Sequence, residues 1–167
     1  MQDRRIARRL ALDVLYEAEI RDMLPEDAFL RRQSEGWVIP APGDRGPDEE
    51  APALGPAVEE SPSAEALDYA LQLVRGVQQH QADADVLIAR YADRWAIQRM
   101  PVIDRTLVRM ALYELLWRED IPIPVAINEA VELAKDLSTD DSGRFVNGLL
   151  GKIVEQEATD QPADAPE

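Results

Sequence analysis

Helical periodicity makes this chain an all-α protein. Apolar residues recur three and four positions apart along most of its 167 residues. No segment alternates polar and apolar residues as a half-buried strand would, and several prolines stand where a helical pattern begins.

From Arg4 to about Asp22, the residues Ile6, Leu10 and Val14 follow at four-residue spacing. Ala7, Ala11 and Leu15 widen the stripe into an amphipathic helix. A short helix is predicted from Pro25, whose fixed φ suits a first turn, to about Arg32. Ser61-Pro62 reads as a cap and first-turn proline, opening a helix with Leu67, Ala70, Leu71, Val74 and Val77 inward. A separate helix is predicted from Asp83 or Asp85, burying Leu87, Ile88, Tyr91 and Trp95.

Pro101 opens the next helix. Its Ile103, Leu107, Val108, Met110, Ala111, Leu112, Leu115 and Leu116 leave little polar face, so it is expected at the centre of the molecule. Glu114 and Arg118, four apart on it, read as a surface pair. Ile121-Pro122-Ile123-Pro124 then stops one helix and starts another, because proline disfavours helix in the residue before it and suits a first turn. Ile127, Ala130, Val131, Ala134 and Leu137 form the stripe of that helix, and the Asn128-Glu129 pair reads as structural, tying the restart to a neighbour. The last helix starts around Thr139-Asp140-Asp141-Ser142 and buries Val146, Leu149, Leu150 and Ile153. Gly148 and Gly151 inside it each cost about 1 kcal/mol relative to Ala, so a neighbouring helix is expected to pass close there.

Charge is unevenly spread. Of the net −15, the segment 33–63 carries −6 and the segment 155–167 carries −5, leaving −4 for the rest. The first holds six prolines and four glycines, and the second ends Gln-Pro-Ala-Asp-Ala-Pro-Glu, so both are expected to be unfolded. Trp37, Val38 and Ile39 at the start of the first can pin it back to the body. The predicted organisation is a single domain over 1–154, containing a flexible insertion at about 33–61, followed by a disordered acidic tail over 155–167. No apolar run can span a bilayer, and the arginine-rich opening lacks the apolar stretch and cleavage site of a secretory signal. A soluble, cytoplasmic protein is expected. The absence of cysteine excludes disulfides, zinc-thiolate sites and thiol catalysis.

Catalytic constellations are missing from the sequence. His80 is the one histidine and, within Gln-Gln-His-Gln, reads as a solvated helix end. No Gly-rich phosphate loop, metal-spaced cluster or Ser-His-acid set can be assembled, and Asp140-Asp141 reads as cap and dipole partners. No enzymatic activity, metal or cofactor is expected.

Binding is what remains. Arg4, Arg5, Arg8 and Arg9 make two i,i+4 pairs on the first helix. They describe either a solvated basic face or a set of guanidinium forks for phosphate. Phe145, between Arg144 and the Val146-Leu149-Leu150-Ile153 stripe, suits either a stacking platform for an unpaired RNA base or packing against Leu149. The residue pattern leaves both pairs of readings open.

The run ALYELLWREDIPIPVAINEAVELAKDLSTDDSGRFVNGLLGKI, together with RRLALDVLYEAEIRD near the start, closely resembles the bacterial transcription antitermination factor NusB family. The resemblance covers almost everything outside the Pro-rich segment and tail, and ALYEL, VAINEAVELAK and RFVNG in this order are highly specific. It implies two packed three-helix bundles, no catalysis, pairing with the ribosomal protein NusE, and binding of the boxA element in leader RNA of ribosomal RNA operons. RNA polymerase and other Nus factors would be reached through that complex. By this likeness Arg4, Arg5, Arg8, Asp141, Arg144, Phe145 and Asn147 are the RNA-binding candidates, with Arg9, at a position that need not be basic in the family, added from the arginine cluster itself, while Tyr16 and Asp104 are the candidates for the NusE face. The long acidic insertion departs from many relatives. A recognition appendage of an RNA-modifying enzyme, a helical interaction scaffold, a hydrolase and a homodimer are the other readings the sequence leaves open.

Overall fold

The computed structural model describes residues 2–37, 61–92 and 97–160, and within them the protein is all-helical. The helices are α1 (Gln2–Arg21), α2 (Pro25–Glu35), α3 (Ala64–Tyr91), α4 (Val102–Trp117), α5 (Ile123–Leu137) and α6 (Asp140–Asp160), with a 3₁₀ turn at Ile97–Arg99. No described helix is long and apolar enough to cross a membrane.

Local chemistry explains the boundaries. Asp22 takes a left-handed φ of 53°, and the Met23 N–H donates to the Ala18 carbonyl at 2.9 Å, closing α1. Pro25 opens α2, and Gly36, at φ 98°, ends it in a conformation costly for other residues. The cap of α3 is Ser63, two residues beyond the expected Ser61. Its Oγ accepts from the Ala66 N–H at 3.1 Å and donates to Asp3 at 2.8 Å, fastening α3 to the start of α1. The Pro122 and Pro124 restart opens α5 as expected, and Thr139 caps α6 by accepting from the Ser142 N–H at 3.1 Å.

Helix α4 is the hub, packing against α1, α3, α5 and α6, with Leu107, Val108, Met110, Ala111 and Leu112 buried. The most extensive pairings otherwise are α1 with α3 and α5 with α6. Leu10, Leu73, Leu112, Leu150 and Ile153 are among the fully buried side chains, each worth about 1.5–3 kcal/mol of burial.

Several expectations need correction. The helix expected to begin near Asp83 is the continuation of α3, because Leu73, Val77, Ala84 and Ile88 keep one buried stripe through the polar run. His80 is not a solvated end: it lies in mid-α3 with its ring stacked 4.2 Å from Trp117 and 5.9 Å from Tyr113. A methyl group added at Gly148 or Gly151 would meet nothing within 4 Å, whereas one added at Gly76 would overlap the Tyr113 ring. The close helix approach is therefore α3 on α4. Helix α6 also runs through Glu155 and Glu157 to Asp160, so positions 155–160 are helical where an unfolded tail was expected. The insertion likewise begins beyond α2, and Trp37 packs on Phe29 with ring centroids 5.1 Å apart. Val38, Ile39, Trp95, the remainder of the insertion and positions 161–167 lie outside the described residues.

Candidate nucleic-acid interface

The four arginines of α1 separate into two environments. Arg4 and Arg5 are exposed: Arg4 Nη2 donates to Asp120 Oδ2 at 3.3 Å, and Arg5 Nε to Glu129 Oε1 at 3.0 Å. Arg9 is half-buried, with Nε donating to Asp13 Oδ1 at 3.4 Å. Burial pushes the Asp13 carboxyl above its ordinary range, against the pull of Arg9 and Arg32.

Arg8 is different. It is 3% exposed, and its guanidinium grips Glu114, itself 2% exposed, through Nε at 2.9 and 3.3 Å and Nη2 at 2.8 Å. The Tyr69 hydroxyl also donates to Glu114. Burial alone would lower the Arg8 pKa, but hydrogen bonding and charge from Glu114 raise it. Burial and the Glu114 charge hold the Tyr69 phenol well above its ordinary value. As an RNA contact Arg8 is corrected: four-residue spacing keeps it on the Arg4 side of α1 but a full turn deeper, beneath α3 and α4. The expected Glu114–Arg118 surface pair is corrected for the same reason, since Glu114 turns inward. These carboxylates also offset the cost of placing cations at the positive end of α1.

Around the start of α6 the structure brings the other candidates together. Asp141 and Arg144 are 92% and 82% exposed and pair loosely at 3.6 Å. Phe145 is half-buried and packs against the core, so its ring is not sealed within it. Asn147 is exposed. Behind this surface a chain of hydroxyls holds the α5–α6 turn: Ser142 Oγ donates to Asp104 Oδ2 at 2.9 Å and lies 2.9 Å from Ser138 Oγ and 3.1 Å from Thr139 Oγ1.

Asp104 is thus wholly buried, with Oδ1 unpartnered, and its expected place on a partner face is corrected. A first-turn carboxylate on α4 faces the start of α6, and the hydroxyl network draws it inward. Tyr16 is 41% exposed on α1, continuous with exposed Ile20. Glu129 has the tying role expected of it, through Arg5, while Asn128 faces solvent.

Sequence reasoning missed Tyr69, Arg118 and Asp120. Arg118 forks onto Asp120 at 2.8 and 2.9 Å, and Arg4 and Arg118 each stand over the Tyr69 ring at 5.0 Å. The available signal was the Arg118-Glu119-Asp120 run directly before the proline stop, where a short i,i+2 ion pair fits a turn. Among the described residues no group of three His, Cys, Asp or Glu could hold a metal ion.

Exposed arginines and a half-buried aromatic on an α-helical scaffold, with no catalytic or metal cluster among the described residues, fit the class of helical binding proteins. The NusB family model matches residues 5–155. The chain belongs to the NusB family. It is 44% identical over 155 residues to the transcription antitermination protein NusB of Salinispora arenicola, covering 93% of this chain and 97% of that one. The structure of NusB from T. maritima superposes with a TM-score of 0.71 at 32% identity, covering 92% and 91% of the two chains. A crystal structure of antitermination factors NusB and NusE in complex with dsRNA shares the fold, with a TM-score of 0.71 at 22% identity over 93% of this chain and 98% of that one.

Proposed function

We infer that this protein is a non-enzymatic, RNA-binding transcription antitermination factor, acting in the cytoplasm on boxA RNA of ribosomal RNA leaders in a complex with NusE. The observation that carries the reading is the family match, which spans residues 5–155 and so includes both Arg5 in the arginine helix and Phe145 in α6. A relative of the same fold solved with NusE and dsRNA supports the choice of partners. RNA polymerase and further Nus factors would then be reached through the assembled complex. The helix pairings are consistent with one domain of two three-helix bundles, α1–α3 and α4–α6, joined by α4.

On this reading Arg4 and Arg5 hold phosphates, with Arg9 in a lesser role, while an unpaired base stacks on Phe145 beside Arg144. Asp141 and Asn147 border that base. Helix α5 links the two ends: Arg5 reaches Glu129 in its middle, and α6 packs along it. Glu129 to Ser138 is roughly 13 Å at 1.5 Å per residue, within reach of a short single strand. Few cationic contacts on a chain of net charge −15 give weak RNA affinity alone. A basic partner docked at Tyr16 supplies the missing field.

Titrating labelled boxA RNA into the protein with and without NusE tests this. Marked tightening by NusE is expected. Equal affinities would contradict the co-binding mechanism, and no RNA binding in either case would leave a helical interaction scaffold as the better reading.

A further inference from the structure

Two guanidinium groups from opposite ends of the sequence converge where α4 ends. Arg118 Nε donates to Asp120 Oδ1 at 2.8 Å and Nη2 to Oδ2 at 2.9 Å, while Arg4 Nη2 donates to the same Oδ2 at 3.3 Å. Arg118 does not depend on Asp120 for its position. Its Nη1 also donates to Gln72 Oε1 at 2.5 Å, and its guanidinium stands over the Tyr69 ring at 5.0 Å. The Arg118 side chain is only 16% exposed, whereas Arg4 and Asp120 are each 47% exposed. A largely buried cation therefore faces a half-exposed carboxylate at the solvent boundary, where an anion from solution can reach it.

The charges favour an anion here. Glu114 compensates Arg8, leaving Arg4 and Arg118 opposed by the single carboxylate of Asp120. Hydrogen bonds from Arg118, with its charge and that of Arg4, hold the Asp120 carboxyl down to about 2, so it is a charged counter-ion at neutral pH. A phosphodiester presents the same paired acceptor oxygens to an arginine fork as a carboxylate does.

We propose that Arg4 and Arg118 form a two-arginine phosphate clamp for RNA, and that Asp120 is the internal counter-ion a phosphodiester displaces. The proposal rests on the RNA-binding reading above and deepens it: Arg118 takes the place on the surface that Arg8, turned into the core, does not occupy. Asp120 sets the affinity by competing for both forks. Lysine would hold the charge at position 118 but not the fork.

The test uses the full chain with NusE and fluorescein-labelled boxA RNA, followed by anisotropy across a salt series, with the melting temperature of every variant measured in parallel. Asp120→Asn is expected to tighten binding about fivefold, the scale of one exposed ion pair. Asp27→Asn, the same charge change on the exposed surface of α2, controls for net charge and is expected to shift affinity much less. Arg118→Gln is expected to weaken binding about tenfold and lower the slope of log affinity against log salt by about 0.7, the release from one single-strand phosphate contact. Arg118→Lys should fall between. The proposal is overturned if Asp120→Asn binds no more tightly than Asp27→Asn, or if folded Arg118→Gln or Arg118→Lys keeps wild-type affinity and salt slope while the wild type binds RNA. Absence of RNA binding by the wild type would instead sink the RNA reading itself.

Discussion

Replacing Arg8 by methionine separates a core role from a surface role for a residue that family likeness alone assigns to RNA. Methionine preserves most of the aliphatic stem but leaves Glu114, 2% exposed, without the guanidinium that makes three of its short contacts. Breaking one side of a buried ion pair costs about 3–5 kcal/mol, because the remaining charge stays buried and uncompensated. For a chain of this size that is a fall of roughly 10 °C in melting temperature. The second substitution Glu114→Gln, made together with Arg8→Met, removes the stranded charge while keeping an acceptor for the Tyr69 hydroxyl, so most of the loss should return. Urea and thermal unfolding followed by circular dichroism give the stabilities, and RNA anisotropy well below the melting point gives the affinity. The expected outcome is a large stability loss, rescue by the double variant, and RNA affinity within about twofold of wild type in that variant, the scatter of a non-contacting position. Wild-type stability with lost RNA affinity in Arg8→Met would refute the core assignment.

Three further predictions concern other parts of the molecule. Gly76→Ala is expected to destabilise by about 1–3 kcal/mol, since its Cβ would overlap the Tyr113 ring; Gly148→Ala or Gly151→Ala should instead stabilise by up to about 1 kcal/mol through helix propensity. Opposite signs in chemical denaturation check this, and equal signs would contradict it. Because Asp120 has its pKa depressed to about 2, its contribution to stability is present above the ordinary carboxylate value near 4 and is lost as pH falls through about 2. Urea midpoints measured down that window should fall less steeply for Asp120→Asn than for wild type. Phe145→Ala should weaken RNA binding about tenfold and also cost about 1–2 kcal/mol, because the half-buried ring packs on the core. Phe145→Leu should recover stability but not affinity, as read by unfolding and anisotropy together.

Where local spacing governs, the sequence was a good guide. The Pro122-Ile123-Pro124 restart, the first-turn Pro25 and the nearly all-apolar α4 each follow from backbone chemistry or a single helical stripe, and the structure has them where expected. What misled were polar residues whose partners are distant in the chain. Glu114 has Arg118 four residues away, yet it pairs with Arg8 across more than one hundred positions. Asp104 looks like an ordinary first-turn acid until Ser142 closes over it. His80 sits in a run of glutamines, and only the arrival of Trp117 makes it a half-buried stacking partner. The same limit applies to the surface: periodicity treats the four α1 arginines alike, while α3 and α4 decide which of them turns inward. Phe145 was undecided between stacking and packing because it occupies the boundary and does part of each.

For the proposed site to work, RNA must cross from the first turns of α1 to the first turns of α6 over the side of α5. Photocrosslinking of boxA RNA to the NusE-bound protein, followed by peptide mapping, reads that path directly. Crosslinks are expected in peptides containing Arg4 and Arg5, Arg118, and Arg144 to Asn147. Crosslinks confined to α2, with none at either end of that path, would contradict it.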